Sequence, residues 1–146
     1  MNPMTQVLLV DDNSADTDLT SEALAQCRWP SHVRSVSDGE QAMAFLHREG
    51  KYANEIPPDL VILDLNMPRK NGRAVLAEVK GDPVLHNTPV VIFSTSQAGR
   101  DVCGSYDLGA NGYVAKPGNL HDFMSAVQSI GDFWLGRACL PRKEEA

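Results

Sequence analysis

Three uninterrupted apolar runs, Val7-Leu8-Leu9-Val10, Leu60-Val61-Ile62-Leu63 and Val90-Val91-Ile92-Phe93, constrain this chain more than any other feature. They are short, rich in β-branched side chains and free of polar alternation, which suits strands covered on both faces, the habit of parallel sheets. Two weaker runs, 33–36 and 112–115, carry polar interruptions that suit edge strands. Helical patterns lie between the runs. Ala15, Leu19, Ala23 and Cys27 are spaced by four behind a cap at Asn13 or Ser14. Ala42, Met43, Phe45 and Leu46 follow the cap Asp38, with Gly50 as the expected stop, and Val75, Leu76 and Val79 follow Asn71-Gly72. A looser segment over 99–108 ends at Gly109. Leu120, Phe123, Met124, Val127, Ile130 and Trp134 form the longest and most amphipathic pattern. A β-α unit repeated in this way predicts an α/β fold, a parallel sheet with helices on both faces. The stretch 51–59, with Pro57-Pro58, reads as a loop.

Composition excludes several classes. A chain of 146 residues is one ordinary domain. It has 42% hydrophobic and 22% charged residues, which exclude a disordered tail or a collagen-like rod. No apolar run approaches the roughly 18 residues that a membrane helix needs. Net charge is −6, without the basic stripe that displaces counterions from phosphate backbones, so neither nucleic acid nor membrane is an expected partner. Cys27, Cys103 and Cys139 are odd in number and lack Cys-x-x-Cys spacing. They read as reduced, buried small hydrophobes. With no secretory signal at the N-terminus, the expected compartment is the cytoplasm.

The polar residues that close the runs carry the functional signal. The first run ends in Asp11-Asp12, the second in Asp64, the third in Ser94-Thr95-Ser96, and the weak run 112–115 in Lys116-Pro117. In an open parallel sheet these strand ends share one rim, where ligands bind near the switch in strand order. Crowded carboxylates repel one another unless something positive intervenes. A hard cation such as Mg²⁺ suits them, taking carboxylate oxygens while keeping several waters. Mg²⁺ beside an ammonium and a hydroxyl would stabilise a phosphoryl group. With no Ser-His or Cys-His pair nearby, the nucleophile would be a carboxylate.

In this order Asp11-Asp12, Asp64-Leu65-Asn66-Met67-Pro68 with Asn71-Gly72, Ser94-Thr95, and Gly109-Ala110-Asn111-Gly112-Tyr113 before Lys116-Pro117 closely resemble the motifs of response-regulator receiver domains. The resemblance runs over about 6–131, leaving 132–146 as a helix extension and tail of a single domain. It implies a flavodoxin-like doubly wound sheet of five parallel strands in the order 2-1-3-4-5. It also implies a two-component signalling protein rather than an enzyme. Asp64 would accept phosphorus from a phosphohistidine on a partner sensor histidine kinase. Asp12, the Asp64 carboxylate and the Asn66 backbone carbonyl would ligate Mg²⁺, with Asp11 acting through water. Ser94 would supply the hydroxyl that bonds the phosphoryl oxygens, and Lys116 would pair with Asp64 and then with the phosphoryl group. Tyr113 would be the switching aromatic, Asn66 and Ser96 would tune dephosphorylation, and Pro117 would follow a cis peptide.

The insertion at 51–58 and the ending through Phe133-Trp134-Leu135 resemble stand-alone regulators paired with phytochrome-type sensor kinases. Phe133 and Trp134 either cap the sheet or anchor a homodimer through the fourth helix, fifth strand and last helix, the expectation adopted here. No output domain is expected after residue 131, so the signal would leave by contact with an unidentified downstream protein. A phosphorelay intermediate or phosphate sink is the alternative. A flavodoxin-like electron carrier fits less well, because Asp11-Asp12 would repel a flavin phosphate. An aspartyl-phosphate hydrolase would need an acid where Asn66 stands.

Overall fold

The computed structural model describes residues 4–67 and 69–141. Strands β1 (Thr5–Val10), β2 (Ser31–Val36), β3 (Leu60–Leu63), β4 (Val90–Ser94) and β5 (Gly112–Ala115) form one sheet. Their order is β2-β1-β3-β4-β5 and every pairing is parallel, as the doubly wound expectation requires. Helices α1 (Ser14–Ala25), α2 (Gly39–Leu46), α3 (Gly72–Gly81), α4 (Gly99–Asp107) and α5 (Leu120–Gly131) make the connections. No helix among the described residues is long and apolar enough to cross a membrane.

The continuous apolar runs are explained by the two cores they serve. Side chains alternate across a strand. Leu8, Val10, Val61, Leu63 and Ile92 therefore pack with α2 and α3 on one face. Val7, Leu9, Leu60, Ile62, Val91 and Phe93 pack with α1 and α5 on the other. A fully buried leucine or isoleucine such as Leu8, Leu63 or Ile92 contributes about 1.5–3 kcal/mol relative to exposure. These runs close the sheet's centre and bring their polar endings to one level.

Local chemistry sets the helix ends. Asn13, Asp38, Asn71 and Asn119 each accept a hydrogen bond from a backbone N–H in the first turn of α1, α2, α3 and α5. α4 has no side-chain cap, and Ser105 is its one buried residue. α2 stops earlier than Gly50. Arg48 takes the left-handed conformation at φ 58°, and Glu49 N–H reaches back to the Ala44 carbonyl at 2.8 Å. This is the closing geometry in which glycine is the usual occupant, which explains why the arginine gave no signal. Gly50 instead opens a short 3₁₀ turn, Gly50–Tyr52, in the expected loop.

Three further expectations change. Of the expected α1 stripe, Ala23 is buried and Leu19 and Cys27 pack on the core, but Ala15 is exposed, and Thr20 and Leu24 complete the inner face. A strict spacing of four drifts around a helix of 3.6 residues per turn. Leu120 does not join the apolar face of α5 and is 62% exposed at the helix's first turn. Cys103 and Cys139 are exposed and only Cys27 is half-buried, so the cysteines are unpaired but not all core residues. Beyond α5 the chain winds into a π-helical segment, Asp132–Arg137. Trp134 and Leu135 pack on the α1–α5 core, while Phe133 stands 53% exposed.

Candidate functional site

Sheet register brings the polar groups together. Val10 pairs with Leu63 and with Val36, so Asp11 and Asp64 leave neighbouring strands at the same height. Asp64 N–H donates to the Val10 carbonyl at 2.9 Å, and Asp11 N–H donates to the Val36 carbonyl at 3.2 Å. On the other side Ser94 pairs with Ala115, and Lys116 N–H donates to the Ser94 carbonyl at 2.7 Å. Every peptide bond among the described residues is trans, including the one before Pro117, against the cis bond that the resemblance implied. This strand-end register already brings Lys116 to the rim. Pro68 lies outside the described residues.

A single buried ammonium is the hub. Lys116 Nζ donates to Asp11 Oδ2 at 2.7 Å, Asp16 Oδ2 at 2.9 Å and Asp64 Oδ2 at 3.0 Å, and its side chain is only 3% exposed. It also sits 5.9 Å from the centre of the Phe93 ring, whose face favours a cation. The other Asp64 oxygen accepts from Asn66 N–H at 3.2 Å, and Asp11 Oδ1 accepts from Asn13 N–H at 2.9 Å. Burial works against the Lys116 charge. The three carboxylates outweigh it and hold the pKa above that of an ordinary lysine. Burial likewise pushes the Asp11 carboxyl up, opposed by the bonds from Lys116 and Asn13.

One ammonium does not neutralise this rim. Asp11, Asp12 and Asp64 each offer an oxygen, all within 4.8 Å of one another, an arrangement able to hold a metal ion. All-oxygen, carboxylate-rich donors suit magnesium, calcium or manganese rather than a thiophilic metal. Asp12 is the exposed member, open to solvent.

The loop after β3 is shaped by close approach. A Cβ on Gly72 would stand 2.1 Å from the Asp64 carbonyl oxygen, and Gly72 N–H donates to the Leu65 carbonyl at 2.9 Å. Only a residue without a side chain lets α3 start directly against the backbone that carries Asp64.

Ser94 is fully buried, and its Oγ accepts from Ser96 N–H at 3.4 Å. Tyr113, half-buried on β5, donates its hydroxyl to the Ser96 carbonyl at 2.8 Å. Asn66 is exposed beside Asp64. Ser96 Oγ donates to Asp101 on α4, and Asp101 is paired in turn with Arg73 at the start of α3. The expected residues therefore lie at one rim. Asp16, Phe93 and the Arg73–Asp101 pair were not anticipated. Asp16 had one legible signal: side chains tilt toward a helix's N-terminus, so an acid in the first turn of α1 leans back toward the strand ends.

Known proteins place this geometry. Residues 7–128 match the family model for the response regulator receiver domain. The chain is 44% identical over 140 residues to response regulator Rcp1 of Synechocystis sp., covering 96% of this chain and 95% of that protein. Among solved structures, that of the phosphorylated cyanobacterial phytochrome response regulator RcpA is similar at a TM-score of 0.92 and 48% identity, covering 96% of this chain and all of the other. The Mn²⁺-bound form of Rcp1 is similar at a TM-score of 0.91 and 43% identity, covering 94% of this chain and 99% of the other.

Proposed function

Because this chain belongs to the response regulator receiver domain family, we propose that it receives a phosphoryl group on Asp64 from the phosphohistidine of a phytochrome-type sensor kinase. The observation that carries this reading is the meeting of Asp64, Asp11 and Lys116 at the strand ends, beside the exposed Asp12. An Asp64 oxygen attacks phosphorus, the P–N bond to the kinase histidine breaks, and its electron pair stays on the imidazole nitrogen. The product is an acyl phosphate on Asp64.

Asp12, Asp64 and the Asn66 carbonyl would hold Mg²⁺, with Asp11 acting through water. An ion held there would offset the charge of the phosphoryl oxygens and of the carboxylates around them. Lys116 keeps an ammonium beside Asp64 with little exposure to water, where its charge acts strongly on developing anions. Phosphorylation adds charge and acceptor oxygens at this corner. Ser94 and Lys116 turn toward them, and the loop through Ser96 moves with Ser94. That movement alters the acceptor of the Tyr113 hydroxyl, which makes Tyr113 the reporter on β5. Among the five α-helices α4 has least to lose in moving, since it buries one residue and lacks a side-chain cap. Asn66, beside Asp64, and Ser96, beside Ser94, set the lifetime of the acyl phosphate.

Pairing with a phytochrome-type kinase is supported by the similarity to RcpA, which is described as a cyanobacterial phytochrome response regulator. A homodimer through α4, β5 and α5 is supported by large apolar groups left outward. Tyr106 on α4 is 50% exposed, and Leu120 on α5 and Phe133 just beyond it are more exposed still. The same face suits a downstream protein. Unpaired cysteines and the absence of a basic stripe fit a cytoplasmic protein that signals by protein contact. Phosphotransfer profiling tests the reading: the chain is incubated with phosphorylated histidine kinases of its own genome. Rapid transfer from a phytochrome-type kinase, absent in Asp64→Asn, is expected; transfer to Asp64→Asn at the same rate would overturn it.

A further inference from the structure

Asp16 is a carboxylate of this rim that the reading above leaves without a task. It lies outside the trio suited to a metal, yet its Oδ2 is 2.9 Å from Lys116 Nζ. It comes from the first turn of α1, where its own N–H is held by the Asn13 side chain at 3.1 Å. An ammonium has three N–H donors. Lys116 directs its bonds to Asp11, Asp16 and Asp64, with nothing in reserve.

Resting on the receiver reading, we propose that Asp16 is a positioning residue that acts through Lys116 to keep Asp11 and Asp64 open to a divalent cation. The ammonium and a cation at this rim draw on the same two carboxylates, Asp11 and Asp64. A third carboxylate draws part of the ammonium's charge toward α1 and weakens that competition. It also keeps Lys116 at the rim when a cation claims the other two acids, so the ammonium stays within reach of an incoming phosphoryl group. The Lys116 side chain is almost wholly buried, so water does little to screen this sharing. Without Asp16 the ammonium would settle on Asp11 and Asp64 alone.

Manganese binding to the full chain, titrated by electron paramagnetic resonance, tests this in wild type, Asp16→Asn, Asp18→Asn, Lys116→Met and the Asp16→Asn/Lys116→Met double variant. Asp18 lies on the same helix, is exposed and makes no contact with Lys116, so it reports the bare loss of a charge from α1. Asp16→Asn is expected to weaken Mn²⁺ binding at least about fivefold, the lower limit for one charge at short range. Asp18→Asn should stay within about twofold of wild type at moderate salt, and so should the effect of Asp16→Asn once Lys116 is methionine. No change in Asp16→Asn, an equal change in Asp18→Asn, or a fivefold loss that persists without Lys116 overturns the inference. Wild type is treated in parallel with acetyl phosphate. Label on Asp64 together with an uncoupled cycle removes the role of Asp16 alone, whereas an unlabelled wild type removes the receiver reading and this inference with it.

Discussion

At the scale of single residues, the rim is held together by one cation among acids. Lys116→Met would leave Asp11 and Asp64 buried without their counter-charge. Breaking a buried pair from one side is costly, and partial exposure of the acids moderates it to about 2–4 kcal/mol near neutral pH. The pH dependence follows from the shifts. Burial already raises the Asp11 carboxyl, and removing Lys116 removes the bond that opposes it. A carboxyl raised in the folded state favours folding when protonated and loses that contribution as pH rises through its folded pKa. The deficit of Lys116→Met relative to wild type should therefore shrink as pH falls through the carboxylate range, measured by urea denaturation across pH. A deficit independent of pH would contradict this electrostatic account. Asp11, Asp12, Asp64 and Lys116 were legible in the sequence because each directly follows a strand-forming run. Asp16 had only the weak hint of its place in a first helical turn, where an acid is ordinary, and it takes the packing of α1 on the sheet to bring it to Lys116. Cys103 and Cys139 misled for a related reason: a small apolar side chain carries no signal of which way its helix or tail faces.

At the scale of elements, the two sides of the site are held differently. Gly72 seats α3 against the Asp64 backbone, where an added Cβ meets the carbonyl oxygen. Gly72→Ala should cost about 1–3 kcal/mol, the range for overpacking, and slow the labelling of Asp64 because the loop after β3 must shift. Gly104 is the contrast. It lies within α4, and a Cβ there meets open space. Gly104→Ala should stabilise α4 by about 0.5–1 kcal/mol. Amide hydrogen exchange would show slower exchange confined to α4; unchanged exchange there would contradict the view that α4 is the weakly held element. Three of the five α-helix starts could be read from Asn13, Asp38 and Asn71, whose side chains name the cap chemically. The end of α2 could not, because its left-handed position is filled by Arg48 instead of glycine. Leu120 looked like core by periodicity and proved exposed, since a periodic pattern does not say where its covering layer ends.

At the scale of the whole molecule, five strands in the order 2-1-3-4-5 collect acids from β1 and β3 and a base from β5, residues more than fifty positions apart, at one level. A ligand that binds only this assembled rim stabilises the fold by mass action. Mg²⁺ at a hundred times its dissociation constant should add about 2.7 kcal/mol and raise Tm, and chelation should reverse it. Asp12→Asn should abolish the rise while leaving the metal-free Tm near wild type, since Asp12 is exposed; a full rise in that variant would place the ion elsewhere. Light scattering at micromolar concentration should show a dimer that Leu120→Glu or Tyr106→Glu returns to monomer, and a wild-type monomer with and without phosphoryl donor would retire that interface. The wholly apolar runs marked the inner strands and the two broken runs the edges, while their order came with the resemblance in the strand-end motifs; no sequence pattern tells what covers the exposed Tyr106 and Leu120 side chains. The central claim is tested most directly by mapping the phosphorylated residue. The chain is treated with phosphoramidate and Mg²⁺, the acyl phosphate is trapped by borohydride reduction, and the modified peptide is sequenced by mass spectrometry. Modification at Asp64 alone, lost on chelation, is expected; modification at another residue, or at Asp64 without need of a divalent ion, would overturn the assignment of the acceptor.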